Sequence, residues 1–244
     1  MALLEVKGAR KSYGKLNALD SADLVVESQQ FHGLIGPNGS GKTTLLKCIA
    51  GAEYPEEGTL TFLDEEISTM PPAVRARRGM SLKFQITSVF NQLSVYDNIL
   101  LSLQATQPLL RLAGSQSRER LDSKVMETLA EFRIEARANN LAGELSHGEQ
   151  QWLEIAMALA PGPRLLLLDE PTAGMSPEER RLTGDLLRPI KERCSMLIVE
   201  HDLDFIKDLS DVITVLDQGQ VLDNGTPEQI ETSKRVKEVY VTRV

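Results

Sequence analysis

The chain has only two cysteines, Cys48 and Cys194, far apart in 244 residues. That excludes a disulfide framework and a cysteine metal cluster, and it fits two reduced thiols in a reducing compartment. Aromatic residues are scarce: one Trp, four Tyr and six Phe, too few for a surface that stacks a run of bases. Basic residues are outnumbered, 27 Lys and Arg against 35 Asp and Glu, for a net charge of −8. Broad attraction to a nucleic-acid backbone is excluded as the main task, so no nucleic-acid partner is expected. No apolar run approaches the roughly 20 residues that a membrane helix needs. Residues 1–14 lack a basic start followed by an apolar stretch, so they read as a first strand and not as a signal peptide. These absences describe a soluble, acidic, intracellular chain. Its hydrophobic content of 41% is too high for disorder.

The length gives a prior of one to two domains. Period-two alternation over residues 3–13 and 16–27 predicts two strands. A short apolar run, 31–35, ends in Gly-Pro-Asn-Gly and reads as a buried strand entering a loop. Helical spacing follows over 43–50 and stops at Gly51. Strands are expected at 59–63 and 80–84. From about 95 to 160 the pattern turns helical, with a loop at 107–117. Strands return at 165–168, 196–199 and 212–216, the first two followed by helices, and 228–244 reads as a short helical tail. Strand-then-helix alternation at both ends implies an α/β core, and the helical middle implies an insertion.

The first chemical motif is Gly36-Pro-Asn38-Gly39-Ser40-Gly41-Lys42-Thr43, a GxxxxGK[ST] loop placed between strand and helix. Glycines let the backbone wrap a phosphate with its N–H groups turned inward, and the helix N-terminus adds positive potential. Lys42 would reach the β- and γ-phosphates and the Thr43 hydroxyl would ligate Mg²⁺, with Thr44 next in the turn. The second motif is 165–168 followed by Asp169-Glu170-Pro171, an apolar strand ending in two acids. Adjacent carboxylates beside a buried strand are costly without a cation. Beside a phosphate loop that cation is Mg²⁺, held by Asp169, while Glu170 orients or deprotonates the attacking water.

Leu145-Ser146-His147-Gly148-Glu149-Gln150 then makes the chain resemble the ATP-binding cassette (ABC) ATPases, whose signature is usually Leu-Ser-Gly-Gly-Gln. The ordered motifs match along nearly the whole chain. By this resemblance Tyr13 takes the adenine-stacking position and Gln85, after Lys83-Phe84, the Q-loop glutamine that can ligate Mg²⁺ or hold the water. Residues 173–176, Ala-Gly-Met-Ser, take the D-loop position, and His201 takes that of the switch histidine. The resemblance implies an α/β P-loop NTPase of the ABC-ATPase fold: a RecA-like core with an N-terminal antiparallel β subdomain and a helical signature subdomain. It implies one domain over 1–244, with the nucleotide-binding core at 1–85 and 161–244 and the helical subdomain at 86–160. It also implies a head-to-tail dimer in which Ser146, Gly148 and Glu149 face the other subunit's ATP.

Two positions depart from the general pattern. His147 stands for the first signature glycine and Ser176 for the D-loop aspartate, and both bear on turnover. The same departures resemble one branch, the ATPases of bacterial branched-chain amino-acid and urea or short-amide importers. Residues 83–99, 151–155, 173–177 and 236–240 resemble it too. That branch implies integral-membrane permease subunits, a second ABC ATPase subunit with a heterodimer preferred, and a solute-binding protein reached through the permease. The expected place is the cytoplasmic face of the inner membrane, as a peripheral protein. The alternative is an exporter ATPase of lipid or lipopolysaccharide type, with the same core motifs. A non-transport relative is disfavoured by a single cassette without sustained heptads, and a non-catalytic module by intact Lys42, Asp169, Glu170 and His201.

Four lesser readings complete the sequence. Arg75, Arg77 and Arg78 read as a solvated helix face. By the resemblance to importers of this family, Val89, Phe90, Leu93 and Val95 would supply apolar contacts to a coupling helix of the permease, the alternative being packing inside the helical subdomain. Trp152 reads as a helix-packing residue and His32 as structural.

Overall fold

The structure is a computed structural model that describes residues 1–83, 89–105 and 117–243. The elements run β1 (Ala2–Tyr13), β2 (Leu16–Glu27), β3 (Phe31–Ile35), α1 (Lys42–Ala50), β4 (Glu57–Phe62), β5 (Glu65–Glu66), α2 (Pro72–Arg77) and β6 (Met80–Lys83). The helical stretch follows: α3 (Val95–Ala105), α4 (Ser117–Glu131) and α5 (His147–Leu159). The chain ends with β7 (Leu165–Asp169), α6 (Pro177–Leu187), β8 (Ser195–Val199), α7 (Leu203–Leu209), β9 (Val212–Asp217), β10 (Gln220–Gly225), α8 (Pro227–Thr232) and α9 (Lys234–Arg243).

The strands form two sheets. β2-β1-β4-β5 is antiparallel, and β10-β9-β3-β8-β7-β6 is parallel except for its β10–β9 edge. β3, β7 and β8 are buried along their whole length, as interior strands covered on both faces must be. Their side chains alternate between two cores. Leu165 and Leu167 join β1, β2, β4 and α1, whereas Leu166 and Leu168 join α3, α4, α5 and the C-terminal helices. The large sheet is therefore packed between a sheet-plus-α1 layer and a helical layer.

The expected β–α alternation and the helical middle are both present. The strand expected to reach Phe84 is described to Lys83, and the expected loop at 107–117 falls on residues that, but for 117, lie outside the described ones. The tail is two helices, not one. Thr226 and Gln229 form a reciprocal cap that starts α8, and an extended Ser233 ends it.

Two sequence expectations are corrected. Arg75 does not face solvent: it is 1% exposed. Its guanidinium donates to the carbonyls of Cys48 and Ile49 at 2.6 Å each and of Met70 at 2.9 Å. It thereby serves the orphan carbonyls at the C-terminus of α1, where a cation also meets the negative end of the helix dipole. Val95 is likewise not presented to a partner, since it is fully buried in the helical core, while Phe90 is 54% exposed.

His32 is structural, as expected. Its ring is fully buried and Nε2 lies 2.8 Å from the Thr214 hydroxyl. Burial lowers its pKa to about 4. An unfolded chain takes up that proton near the ordinary value of 6.5, so between about 6.5 and 4 the unfolded state binds more protons. This contribution is full above 6.5 and is lost as pH falls towards 4, at a total cost of about 3 kcal/mol. Urea unfolding of the parent at pH 7 and pH 4.5 should show the loss, and His32→Gln should flatten it.

Candidate active site

Three neighbouring parallel strands, β3, β8 and β7, end on one edge of the sheet. Ligand sites of open α/β sheets lie at such carboxyl ends. β3 delivers the glycine loop, β7 delivers Asp169 and Glu170, and β8 delivers Glu200 and His201.

The loop's backbone is shaped by close approach. At Gly36 a Cβ would lie 2.1 Å from the Leu216 carbonyl oxygen, and at Gly41, with φ 105°, 2.4 Å from that of Ala18. Gly41 caps α1 in a left-handed conformation with no side-chain hydrogen bond. The first N–H groups of α1 are thus left for an anion. Lys42 Nζ donates to the Gly36 carbonyl at 2.7 Å and the Pro37 carbonyl at 3.1 Å, which holds the ammonium over the loop. Burial lowers the Lys42 pKa, and Glu170 and Asp169 oppose that shift.

A cavity of about 310 Å³ opens over this loop. It is lined by Tyr13, Leu16, Ala18, Asn38, Gly39, Ser40, Gly41, Lys42, Thr43, Thr44, Glu170 and His201. Tyr13 is 45% exposed, so its ring is open to a flat ligand. Most of the sequence-predicted binding residues are therefore brought together.

Beside the cavity, Glu170 Oε1 and His201 Nε2 lie 2.6 Å apart. Glu170 has φ 47°, a left-handed backbone, and its N–H donates to the Val199 carbonyl at 2.9 Å. Such a conformation in a non-glycine residue is costly and persists only where neighbours hold it. Asp169 is buried, and its Oδ1 has no hydrogen-bond partner among the described residues. Burial and then Glu170 raise the Asp169 pKa, against Lys83 and Lys42. An orphaned carboxylate oxygen is what a cation would satisfy. With Thr43 on the cavity wall, the donor set fits Mg²⁺, which takes one or two protein oxygens and completes its shell with phosphate and water.

The signature residues lie elsewhere. Ser146 and Glu149 cap the start of α5 reciprocally, Ser146 N–H donating to Glu149 Oε2 at 2.9 Å and Glu149 N–H to Ser146 Oγ at 3.2 Å. Neither they nor Gly148 lines the cavity. Gln85 lies outside the described residues. Trp152 packs between helices as expected, its Nε1–H donating to Thr183 Oγ1 at 2.8 Å.

Sequence reasoning missed three participants. Glu200 is buried and ties the site together: Oε1 accepts from Thr172 N–H at 2.9 Å and Thr172 Oγ1 at 2.6 Å, and Oε2 accepts from His201 N–H at 3.0 Å. The available signal was an acid directly after an apolar strand, the same pattern that exposed Asp169. The second is a buried pair, Lys83 and Glu154, 3.7 Å apart. The third is Tyr240 on α9, whose phenol burial pushes up to about 12 despite a hydrogen bond with the Gly36 backbone.

Comparison with known proteins agrees with this geometry. The ABC transporter family model matches residues 19–173. The chain is 35% identical to the high-affinity branched-chain amino acid transport ATP-binding protein BraF of Pseudomonas aeruginosa, over 98% of this chain and 97% of that one. It is 34% identical to the lipopolysaccharide export system ATP-binding protein LptB of Haemophilus influenzae, over 99% and 98%. Among solved structures, the ADP conformation of MJ1267, an ATP-binding cassette of an ABC transporter, superposes with a TM-score of 0.88 at 28% identity, covering 99% of both chains. No helix among the described residues is long and apolar enough to cross a membrane. The strand order, the glycine loop under its cavity and the full-length similarity converge: the chain belongs to the ABC transporter family and is an ATP-binding, ATP-hydrolysing cassette subunit.

Proposed function

We propose that this chain is the Mg-ATP-hydrolysing subunit of an importer for branched-chain amino acids, urea or related small amides. The observation that carries the import reading is the full-length similarity to BraF and to the LivG protein of Escherichia coli, 33% identical over 98% of this chain. In this reading Lys42 and the loop amides hold the phosphates, and Tyr13 stacks on adenine. Thr43, Asp169 and Gln85 hold Mg²⁺, which supplies charge stabilisation to the phosphates when bound. Glu170 takes the proton of the attacking water, and His201 positions Glu170 and the γ-phosphate.

Ser146, Gly148 and Glu149 complete the ATP site of a second cassette in a head-to-tail pair. Their separation from the cavity lined by Lys42 and Glu170 supports that arrangement. The second cassette is preferably a different chain. The helical segment 86–160 moves against the core formed by 1–85 and 161–244, and passes that motion to a permease at the cytoplasmic face of the membrane. Phe90 and Leu141, both exposed, flank the route. A cavity of about 430 Å³ lined by Asn91, Gln92, Leu141, Gly143, Glu144 and Gln150 suits a docking helix.

The test is a mild-detergent pull-down from native membranes. Recovery of two permease chains, a second cassette and a solute-binding protein is the expected result. The similarity to LptB favours one other reading, an exporter ATPase. Recovery of exporter-type membrane subunits without a binding protein would replace the import reading with that one.

A further inference from the structure

The first turn of α5 interlocks with the segment that follows Glu170. His147 Nε2 lies 3.0 Å from the Ala173 carbonyl oxygen. A carbonyl only accepts, so Nε2 carries the proton and donates it. Gly174, with φ 75°, makes room for the ring, because a Cβ there would sit 2.9 Å from Nε2. One residue on, a Cβ at Gly148 would sit 2.4 Å from Glu179 Oε1. The Glu179 carboxylate is itself fixed, its Oε2 accepting from Ser176 N–H and Ser176 Oγ–H at 2.8 Å each. Two side chains thus fit over two glycines, one in each direction across the contact.

The contact continues into the site. Ala173 N–H donates to the Glu170 carbonyl at 3.2 Å. Thr172, the residue before, is held by Glu200, and Glu200 also holds the backbone of His201. The His201 ring closes the circuit on Glu170. From His147 to the Glu170 carboxylate, every link is a hydrogen bond or a single residue of chain.

We propose that His147 is a positioning residue that joins the start of α5 to the 171–176 turn, so that displacement of the signature helix is transmitted within one chain to Glu170 and His201. This rests on the reading of Glu170 as the base that activates water. His147 is exposed, so its replacement removes the link and leaves the core packing in place.

The test compares the full-length parent with His147→Ala and His147→Gln, whose amide can still donate to the Ala173 carbonyl. Steady-state Mg-ATP hydrolysis and amide hydrogen exchange over residues 171–176 are measured together. Loss of one such hydrogen bond predicts a fall in kcat of about 5–10-fold for His147→Ala and a rise in exchange of similar size, with KM within about twofold. His147→Gln is expected to restore most of both. Unchanged kcat and exchange in His147→Ala, a change in KM alone, or a His147→Gln variant as impaired as the alanine variant would overturn the link. Glu170→Gln separates the two levels. Normal turnover there overturns the reading of Glu170, whereas slow turnover there with an unaffected His147→Ala overturns only the role of His147.

Discussion

Glu170→Gln is expected to lower ATP turnover by about 10²–10⁴-fold, the usual worth of a positioned general base, while nucleotide binding survives. The substitution keeps the size of the side chain and an oxygen able to contact His201 Nε2, now 2.6 Å from Oε1. It removes only the capacity to take a proton. The groups proposed to hold the phosphates, Lys42 and the uncapped N–H groups of α1, are untouched. Single-turnover phosphate release and equilibrium nucleotide binding, measured on the same preparation, check both halves. A glutamine variant with parental turnover would remove Glu170 from the proton transfer. Weakened binding with a parental single-turnover rate would make it a binding group instead.

The second large effect concerns stability. Arg75→Met retains much of the side-chain volume but deletes the donors that now serve the carbonyls of Cys48, Ile49 and Met70. Several buried acceptors then lose a partner at once, at a cost of about 3 kcal/mol. For a chain of this length that corresponds to a fall in Tm of about 6–12 °C. Arg78→Met is the control: the Arg78 guanidinium meets Glu65 on the surface, at 2.5 and 2.6 Å, and solvent competes for such pairs. Its melting point should stay within about 2 °C of the parent. Scanning calorimetry of the three proteins decides the matter. Equal melting points for the two variants would mean that the Arg75 network contributes no more than a surface pair.

Most of the architecture was legible because it depends on local pattern. Period-two alternation located β1 and β2, and apolar runs bounded by turn residues located β3, β7 and β8. The glycine loop and the Asp169-Glu170 pair were legible because their chemistry requires particular residues at fixed spacing. What escaped depends on contacts between distant segments. Arg75 reads as one of three cations on a short helix, and nothing nearby in sequence says that Gly51, with no Cβ, opens the space its guanidinium fills. Glu200 was overshadowed by the histidine beside it, and its job is visible only once Thr172 is seen 2.9 Å away. His147 and Ser176 stood out as departures from a family pattern. The task of His147, a hydrogen bond to Ala173, depends on how α5 meets the turn before α6, whereas Ser176 caps α6 locally, in a capping box with Glu179.

The placement of the site on β3, β7 and β8 has a thermodynamic consequence. All three strands are interior and buried from end to end, so their amides belong to the part of the molecule that opens only when the whole chain opens. Only opening of the whole chain therefore takes the glycine loop, Asp169 and His201 out of register. Ligand occupancy and global folding are therefore one equilibrium. Nucleotide at a hundred times its dissociation constant would add about 2.7 kcal/mol to the entire fold. The persistence of the cassette against unfolding and proteolysis is tied to the ratio of free nucleotide to that constant.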